Sequence, residues 1–261
     1  MRFCPVTSDV RIKYRDPIKI PIMINPTTQR SEVSDDITAL RLQLESAPER
    51  IKLKSIQDLA NRGEAGLAVL MEWLLEQQSE PPNVATGKAY QIIYNTPSPQ
   101  ANEFLQKHFQ SGIVSLCSEQ KIDYSALQKM LAERNFQAAD SLTLQKLCEL
   151  AGKAAEQRKW LYFTEVDRFP VVDLRTLDAL WFVYSEGKFG FSVQRNIWLA
   201  VNKNWEKFWP KIGWKTDNNW TRYPNEFTWD LTAPTGHLPL SNQLRGVRVI
   251  TALLSHPAWS I

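Results

Sequence analysis

Asn242, Arg245 and Arg248 stand at i, i+3 and i+6 near the end of the chain. On a helix that spacing puts all three along one side. Two arginines so placed offer planar, bidentate partners for carboxylates or phosphates. The ordinary alternatives are solvation or stacking on nearby rings. Val249, Ala252 and Leu253 can occupy the side of the same helix that faces the core. Gly246 lies between the arginines and costs a helix about 1 kcal/mol relative to alanine, which a close approach by another surface would explain. The other unusual supply is aromatic. All but one of the 10 tryptophans fall between Trp160 and Trp259, interleaved with Phe163, Phe169, Phe182, Phe189, Phe191, Phe208 and Phe227. Most of these rings must be core, because aromatic side chains bury the most surface. The rest could line a hollow for a large, flat ligand, since pockets are typically apolar with a few placed polar groups.

An aromatic-walled hollow edged by arginines suits a planar apolar molecule with acid groups along one side. Tetrapyrroles carrying propionates are the obvious class. Single-stranded nucleic acid, with stacking bases and phosphates, fits the same chemistry. A formal net charge of only +3 and no Lys/Arg stripe to follow a backbone argue against nucleic acid. Its binding would also weaken steeply with salt.

Enzymatic signatures are missing. The 3 histidines, His108, His237 and His256, have no metal-ligand spacing around them. No GxSxG, Walker loop or GxGxxG occurs. Glu165 and Asp167 make a carboxylate pair for which surface charge is the plainer account. His237, within Thr235-Gly236-His237-Leu238-Pro239, reads as a loop-stabilising hydrogen-bonding group. A binding protein is therefore favoured over an enzyme, with a tetrapyrrole-modifying enzyme the weakest alternative. The 3 cysteines, Cys4, Cys117 and Cys148, are far apart and include no CxxC, as expected of unpaired thiols in a reducing compartment. Cys148 sits in an apolar helical run and reads as packing. No membrane-spanning run or secretory signal is evident, so the expected location is cytoplasmic.

The elements that must position these residues are helical. Residues 1–33 carry four prolines and no sustained period, and read as a poorly ordered arm, with Met23 an alternative start. From Ser34-Asp35-Asp36 a helix is expected through Ile37, Leu40 and Leu44. A second, through Ile56 and Leu59, ends at Asn61-Arg62-Gly63, and a third carries Leu67, Leu70 and Leu74. Helix, Gly-containing turn, helix is the unit of a HEAT-like array. Further helices are expected over Ala85 to Tyr94 and Ala101 to Phe109. A non-periodic segment at 112–122 then divides an N-terminal bundle, 34–115, from a core domain, 116–261. The core opens with a helical hairpin capped at Asp123 and at Asn135, and Gly152 stops its second arm. Asp173, Ser192 and Asn204 are expected to cap the next three helices. Residues 213–240 read as a long ordered loop, of a length usually functional, in which Trp214, Trp220, Phe227 and Trp229 avoid water. The last helix is expected over Ser241 to Leu254. The fold class is all-α: a HEAT-like bundle, then a compact, largely helical core with long ordered loops.

Several strings in 120–259 resemble the genomes-uncoupled-four family. They are Trp160-Leu161-Tyr162-Phe163-Thr164-Glu165-Val166, Phe189-Gly190-Phe191-Ser192-Val193-Gln194-Arg195, Trp209-Pro210-Lys211-Ile212-Gly213-Trp214, Phe227-Thr228-Trp229-Asp230-Leu231, and Gly236 through Arg248. The resemblance implies a non-enzymatic regulator that binds protoporphyrin IX and Mg-protoporphyrin IX and stimulates magnesium chelatase through its large porphyrin-binding subunit. It implies a monomer without catalytic cofactor or metal, and is compatible with peripheral association at the thylakoid membrane. Carried over by motif, Asn242, Arg245 and Arg248 would meet propionates at the rim. Phe163, Val166, Phe191 and Tyr223 would line the hollow, with Phe136 near it. Tyr223 stands where some members are expected to carry tryptophan. The chain ends without the long tail of plant members, which points to a cyanobacterial source.

Overall fold

The computed structural model describes residues 26–241 and 246–260, with side chains from residue 35 onward. The chain separates into two compact units, Met1–Asp36 and Ile37–Ile261, and of the first only the start of a helix lies among the described residues. Most of the arm expected over 1–33 thus falls outside them. Regular structure among the described residues is helical apart from one pair of two-residue strands, as expected of an all-α fold.

Helix α1 (Pro26–Ser46) begins ahead of the expected start at Ser34, and the fixed φ of Pro26 suits a first turn. It is followed by α2 (Glu49–Ala60) and α3 (Gly63–Glu76). Leu40, Leu44, Ile56, Leu59, Leu70 and Leu74 are all buried, the apolar stripe that their three- and four-residue spacings create. Helix α4 (Val84–Asn95) starts in a reciprocal cap: Asn83 Oδ1 accepts from Thr86 N at 3.1 Å, and Thr86 Oγ1 accepts from Asn83 N at 2.9 Å. Ser98 caps α5 (Pro99–His108).

The irregular segment between α5 and α6 (Ser125–Ala132) is tied down by side chains from later helices. Val114 N donates to Gln128 Oε1 at 3.0 Å, and Glu119 N to Asp173 Oδ2 at 3.0 Å. Asn135 caps α7 (Phe136–Ala151), accepting from Ala138 N at 3.3 Å, and Gly152 ends it, both as the sequence predicts. Then come α8 (Lys153–Arg158), α9 (Phe163–Val166) and α10 (Val171–Tyr184). Gln91 of α4 donates to Leu131 O and Tyr184 O, each at 2.8 Å, so that α4 is bonded both to α6 and to α10. One apolar cluster runs from α1 through α4, α6, α7 and α10.

Two caps differ from expectation because a tertiary partner supplies the bond. Helix α10 starts at Val171, and Asp173, fully buried, accepts instead from Tyr124 Oη at 2.8 Å and from Glu119 N. Helix α11 (Phe191–Ala200) starts at Phe191 rather than after Ser192, and its free N–H at Ser192 donates to Asp178 Oδ1 of α10 at 2.8 Å. Gly190 precedes it at φ +130°, where a Cβ would lie 2.8 Å from the same Asp178 oxygen. Only glycine satisfies both the angle and the space.

Asn204 caps α12 (Trp205–Lys211), which continues one residue past Pro210. The loop that follows holds β1 (Lys215–Thr216) and β2 (Asn219–Trp220), paired antiparallel with Lys215 opposite Trp220. A second cluster of Trp198, Phe208, Trp209, Trp214 and Phe227 packs beneath them, with Trp209 stacked on Trp214 at 5.7 Å. Most of the aromatic surplus is therefore core.

The last helix, α13, is Arg248–Ser255, shorter than the expected Ser241 to Leu254. Ser241 and Gly246 are not helical, and Gly246 sits at φ +82° with open space where a Cβ would be. Its glycine serves that left-handed backbone angle, not the close approach that a mid-helix position had suggested. Asn242 and Arg245 lie outside the described residues. Arg248 opens α13 just after the left-handed turn at Gly246.

Candidate functional site

A cleft of about 1000 Å³ opens along one side of α7. Asp140, Leu144 and Cys148 are spaced by four and face it together, joined by Ser141 and Gln145 on the adjoining row. The facing wall is the segment Trp220–Tyr223, which leaves β2. Thr221 anchors that wall by donating from N to Trp214 O and from Oγ1 to Gly213 O, each at 3.0 Å. The walls meet where Ser141 Oγ and Tyr223 Oη hydrogen-bond at 3.1 Å. The Tyr223 ring stands edge-on to Trp229 at 5.9 Å.

Leu240 and Ser241 close the cleft, at the end of a strap held at nearly every residue. Gly236 N donates to Lys188 O at 2.7 Å, and Gly190 N donates to Leu238 O at 3.0 Å. Gln194 Nε2 donates to Gly236 O at 3.0 Å and Pro239 O at 2.8 Å. Trp214 Nε1 donates to His237 O at 2.8 Å, and Leu240 N donates to Asp140 Oδ1 at 2.6 Å. His237 itself is buried between Ile212 O, 2.6 Å from Nδ1, and Thr228 N, 3.3 Å from Nε2. One ring nitrogen donates and the other accepts, which is the neutral imidazole, and burial holds its pKa below the usual value. The histidine is a loop fastener, as its sequence context suggests.

Charge gathers at the mouth. Lys146 pairs with Glu149 at 2.7 Å, and Glu156, Lys159 and Arg222 also line the opening. The floor differs: Asp140 is 5% exposed, and burial pushes its carboxyl up to about 7 against the single opposing pull of the Leu240 amide. Burial likewise raises the Cys148 thiol to about 11, leaving it unreactive. Among the described residues no group of three or more His, Cys, Asp or Glu is placed to hold a metal.

A smaller hollow shares Leu144, Leu240 and Ser241 with the cleft and continues past Trp160 and Leu161 to Val249 and Leu253 of α13. There α9 packs against α13, and the exposed Arg248 guanidinium lies 5.4 Å over the ring of Phe163, which is 38% exposed. Helix α9 is only one turn long and is fixed from outside. Arg158 grips both oxygens of Glu165, at 2.8 and 2.6 Å, while its guanidinium sits over Trp160 and Tyr162 at 4.7 and 4.5 Å. Glu165 also accepts from Tyr162 N at 2.8 Å. It belongs to this clasp and not to a carboxylate pair with Asp167.

The sequence-predicted residues thus divide. Tyr223 lines the cleft and is 55% exposed, and Phe163 and Arg248 stack together beyond the smaller hollow. Phe136, Val166 and Phe191 are 1% exposed or less and pack within the core, where Phe136 meets Trp181 and Phe189. Asn242 and Arg245 lie in the segment that follows Ser241 in the chain, outside the described residues. Among the described residues only Trp220 and Tyr223 bring rings to this cleft, whose other walls are aliphatic and polar. Trp220 is 38% exposed rather than withdrawn from water. The α7 wall escaped sequence reasoning, although one signal was present. Phe136, Asp140, Thr143 and Leu147 recur by four and three, which puts a carboxylate on the same face as Phe136 and Leu147.

Residues 117–257 match the family described as GUN4-like, and residues 28–110 match the ARM-like repeat domain described as GUN4-N terminal. The chain belongs to the GUN4-like family. It is 51% identical over 229 residues to the Ycf53-like protein of Synechocystis sp., covering 87% of this chain and 98% of that one. It is 39% identical over 146 residues to a chloroplastic tetrapyrrole-binding protein of Arabidopsis thaliana, covering 52% of this chain and 55% of that one. The solved structure of GUN4 from Chlamydomonas reinhardtii superposes with a TM-score of 0.54 at 42% identity, over 57% of this chain and 95% of that chain. Membership of the GUN4-like family agrees with the strings quoted above, all of which fall in the 117–257 match.

Proposed function

We propose that this protein binds tetrapyrroles, protoporphyrin IX and Mg-protoporphyrin IX among them, and activates magnesium chelatase through its large porphyrin-binding subunit without catalysis of its own. The observation that carries the reading is the cleft of about 1000 Å³ between α7 and Trp220–Tyr223, which leads by the smaller hollow toward Arg248 on Phe163. Its volume is at the upper end of ordinary small-molecule sites, and its lining of Leu142, Leu144, Leu240, Trp220 and Tyr223 beside the cations Lys146, Lys159 and Arg222 suits a flat ligand with carboxylates at one edge. The tetrapyrrole-binding name of the Arabidopsis relative points the same way. In this reading Arg248, with Asn242 and Arg245 on the preceding segment, meets the propionates. Tyr223 and Phe163 contact the macrocycle, while Phe136, Val166 and Phe191 shape the hollow from behind. The core, 116–261, carries the ligand and the bundle, 34–115, supports it. The protein acts as a monomer at or near the thylakoid surface; among the described residues no helix is long and apolar enough to cross a membrane.

Titration with protoporphyrin IX and Mg-deuteroporphyrin, read by quenching of the clustered tryptophans, tests this. Saturable one-to-one binding is expected. Arg245→Ala and Arg248→Ala should each weaken it by ~1–3 kcal/mol, the range for a hydrogen bond to a charged group. Unchanged affinity in the double variant would remove the rim, and absence of saturation would remove the tetrapyrrole reading.

A further inference from the structure

Asp140 is a carboxyl placed where a carboxyl is expensive. It lies on the apolar side of α7, 5% exposed, at the base of the cleft. Its Oδ1 holds the Leu240 amide at 2.6 Å, which fastens the last described stretch of the strap to α7. Among the described residues no cation pairs with it. Lys146, on the same helix, is committed to Glu149 at 2.7 Å. Glu156 and Lys159 from the α8 side and Arg222 from the facing wall stand with Lys146 among the residues lining the cleft. His237, on the strap, spends both ring nitrogens on Ile212 and Thr228. An ionised Asp140 therefore depends on one amide and on whatever water stands in the open cleft. A flat apolar ligand that fills the cleft removes that water, and a dry, unpaired carboxylate is among the costliest groups a protein can hold.

We propose that Asp140 is a ligand-binding residue of this cleft and receives the ligand in protonated form, so that each planar ligand that seats draws one proton from solution onto the Asp140 carboxyl. The inference rests on the tetrapyrrole reading above. The proton comes from solvent or buffer and returns when the ligand leaves, and no other bond is made or broken. The carbonyl oxygen of the neutral acid still accepts from Leu240 N, so the strap stays fastened. Its new O–H gives the base of the cleft a hydrogen-bond donor. Affinity must then fall as pH rises above neutrality, because a ligand that binds the protonated form better is opposed by ionisation.

Calorimetric titration of the full chain with deuteroporphyrin, at pH 8 in two buffers of different ionisation enthalpy, counts the protons directly. The wild type should take up about one proton per ligand, and its affinity should drop about tenfold per pH unit above pH 7. Asp140→Asn keeps an acceptor for Leu240 but cannot ionise. It should lose that uptake and show a flat pH profile over the same range. The ligand's own propionates contribute equally to both proteins and cancel in the comparison. Wild-type binding without proton uptake, or equal uptake in both proteins, would overturn the inference and leave the tetrapyrrole reading standing. Absence of saturable wild-type binding would overturn both. If the variant fails to fold, wild-type binding without proton uptake still overturns the inference.

Discussion

Replacing Asp140 by asparagine also tests the ligand-free protein, because a buried carboxyl leaves a signature in stability against pH. Burial raises the folded-state pKa from the usual 3.8 to about 7. Between those values the native state holds a proton that the unfolded chain has released, so stability declines as pH rises through this window. Each pH unit is worth about 1.4 kcal/mol. Integrating the two titrations from pH 5 to pH 7.5 gives a loss of ~2.5 kcal/mol from this one group. Asparagine carries no such loss, and the cost of burying its amide is the same at both pH values. The stability of Asp140→Asn relative to wild type should therefore improve by ~2.5 kcal/mol between pH 5 and pH 7.5, with every other titrating group cancelling. For a unit of this size that is ~5–10 °C in Tm difference. Urea unfolding at the two pH values, followed by tryptophan fluorescence, measures it. A difference that does not change with pH would refute the reasoning: Asp140 would then keep an ordinary pKa, reached by water or by a cation.

Two further outcomes follow from burial and backbone angle. Phe163→Ala should weaken porphyrin binding with little change in thermal stability, since its ring is 38% exposed, whereas Phe191→Ala, at 1% exposure, should cost ~3–5 kcal/mol of stability; equal melting temperatures for the two variants would contradict the placement. Gly190→Ala should destabilise by ~1–3 kcal/mol through strain at φ +130° and the close Asp178 oxygen, as read by chemical denaturation; a neutral effect would mean that the α10–α11 junction relaxes freely.

The helices were legible in the sequence because their signals are local. The apolar spacing of Leu40 and Leu44, the caps at Asn135 and Asn204, and the stop at Gly152 act within a few residues of the groups they satisfy. The strings that mark the family were likewise readable residue by residue. Where a cap is supplied across the fold, the local signal misled. Asp173 looks like a helix cap in sequence, yet its oxygens are taken by Tyr124 and Glu119, and α11 borrows Asp178 from α10. The aromatic surplus gave the wrong weight to a ring-walled hollow, because composition cannot say which rings face each other. Trp209 on Trp214 is core, and among the described residues only Trp220 and Tyr223 reach the cleft.

What the sequence determined by itself was the all-helical class, the family, and a set of residues suited to a flat acidic ligand. Only the tertiary structure decided which of those residues stand together. Arg248 meets Phe163 because the clasp of Arg158 on Glu165 sets α9 against α13. Asp140 becomes a proton-binding group because α7 and the strap enclose it, and Leu240 reaches it across 100 residues of chain. Periodicity reports on neighbours within a helix turn. Local spacing marks which face of a helix turns inward, but how tightly a group such as Asp140 is enclosed, which moves its pKa, is set by residues distant in the chain.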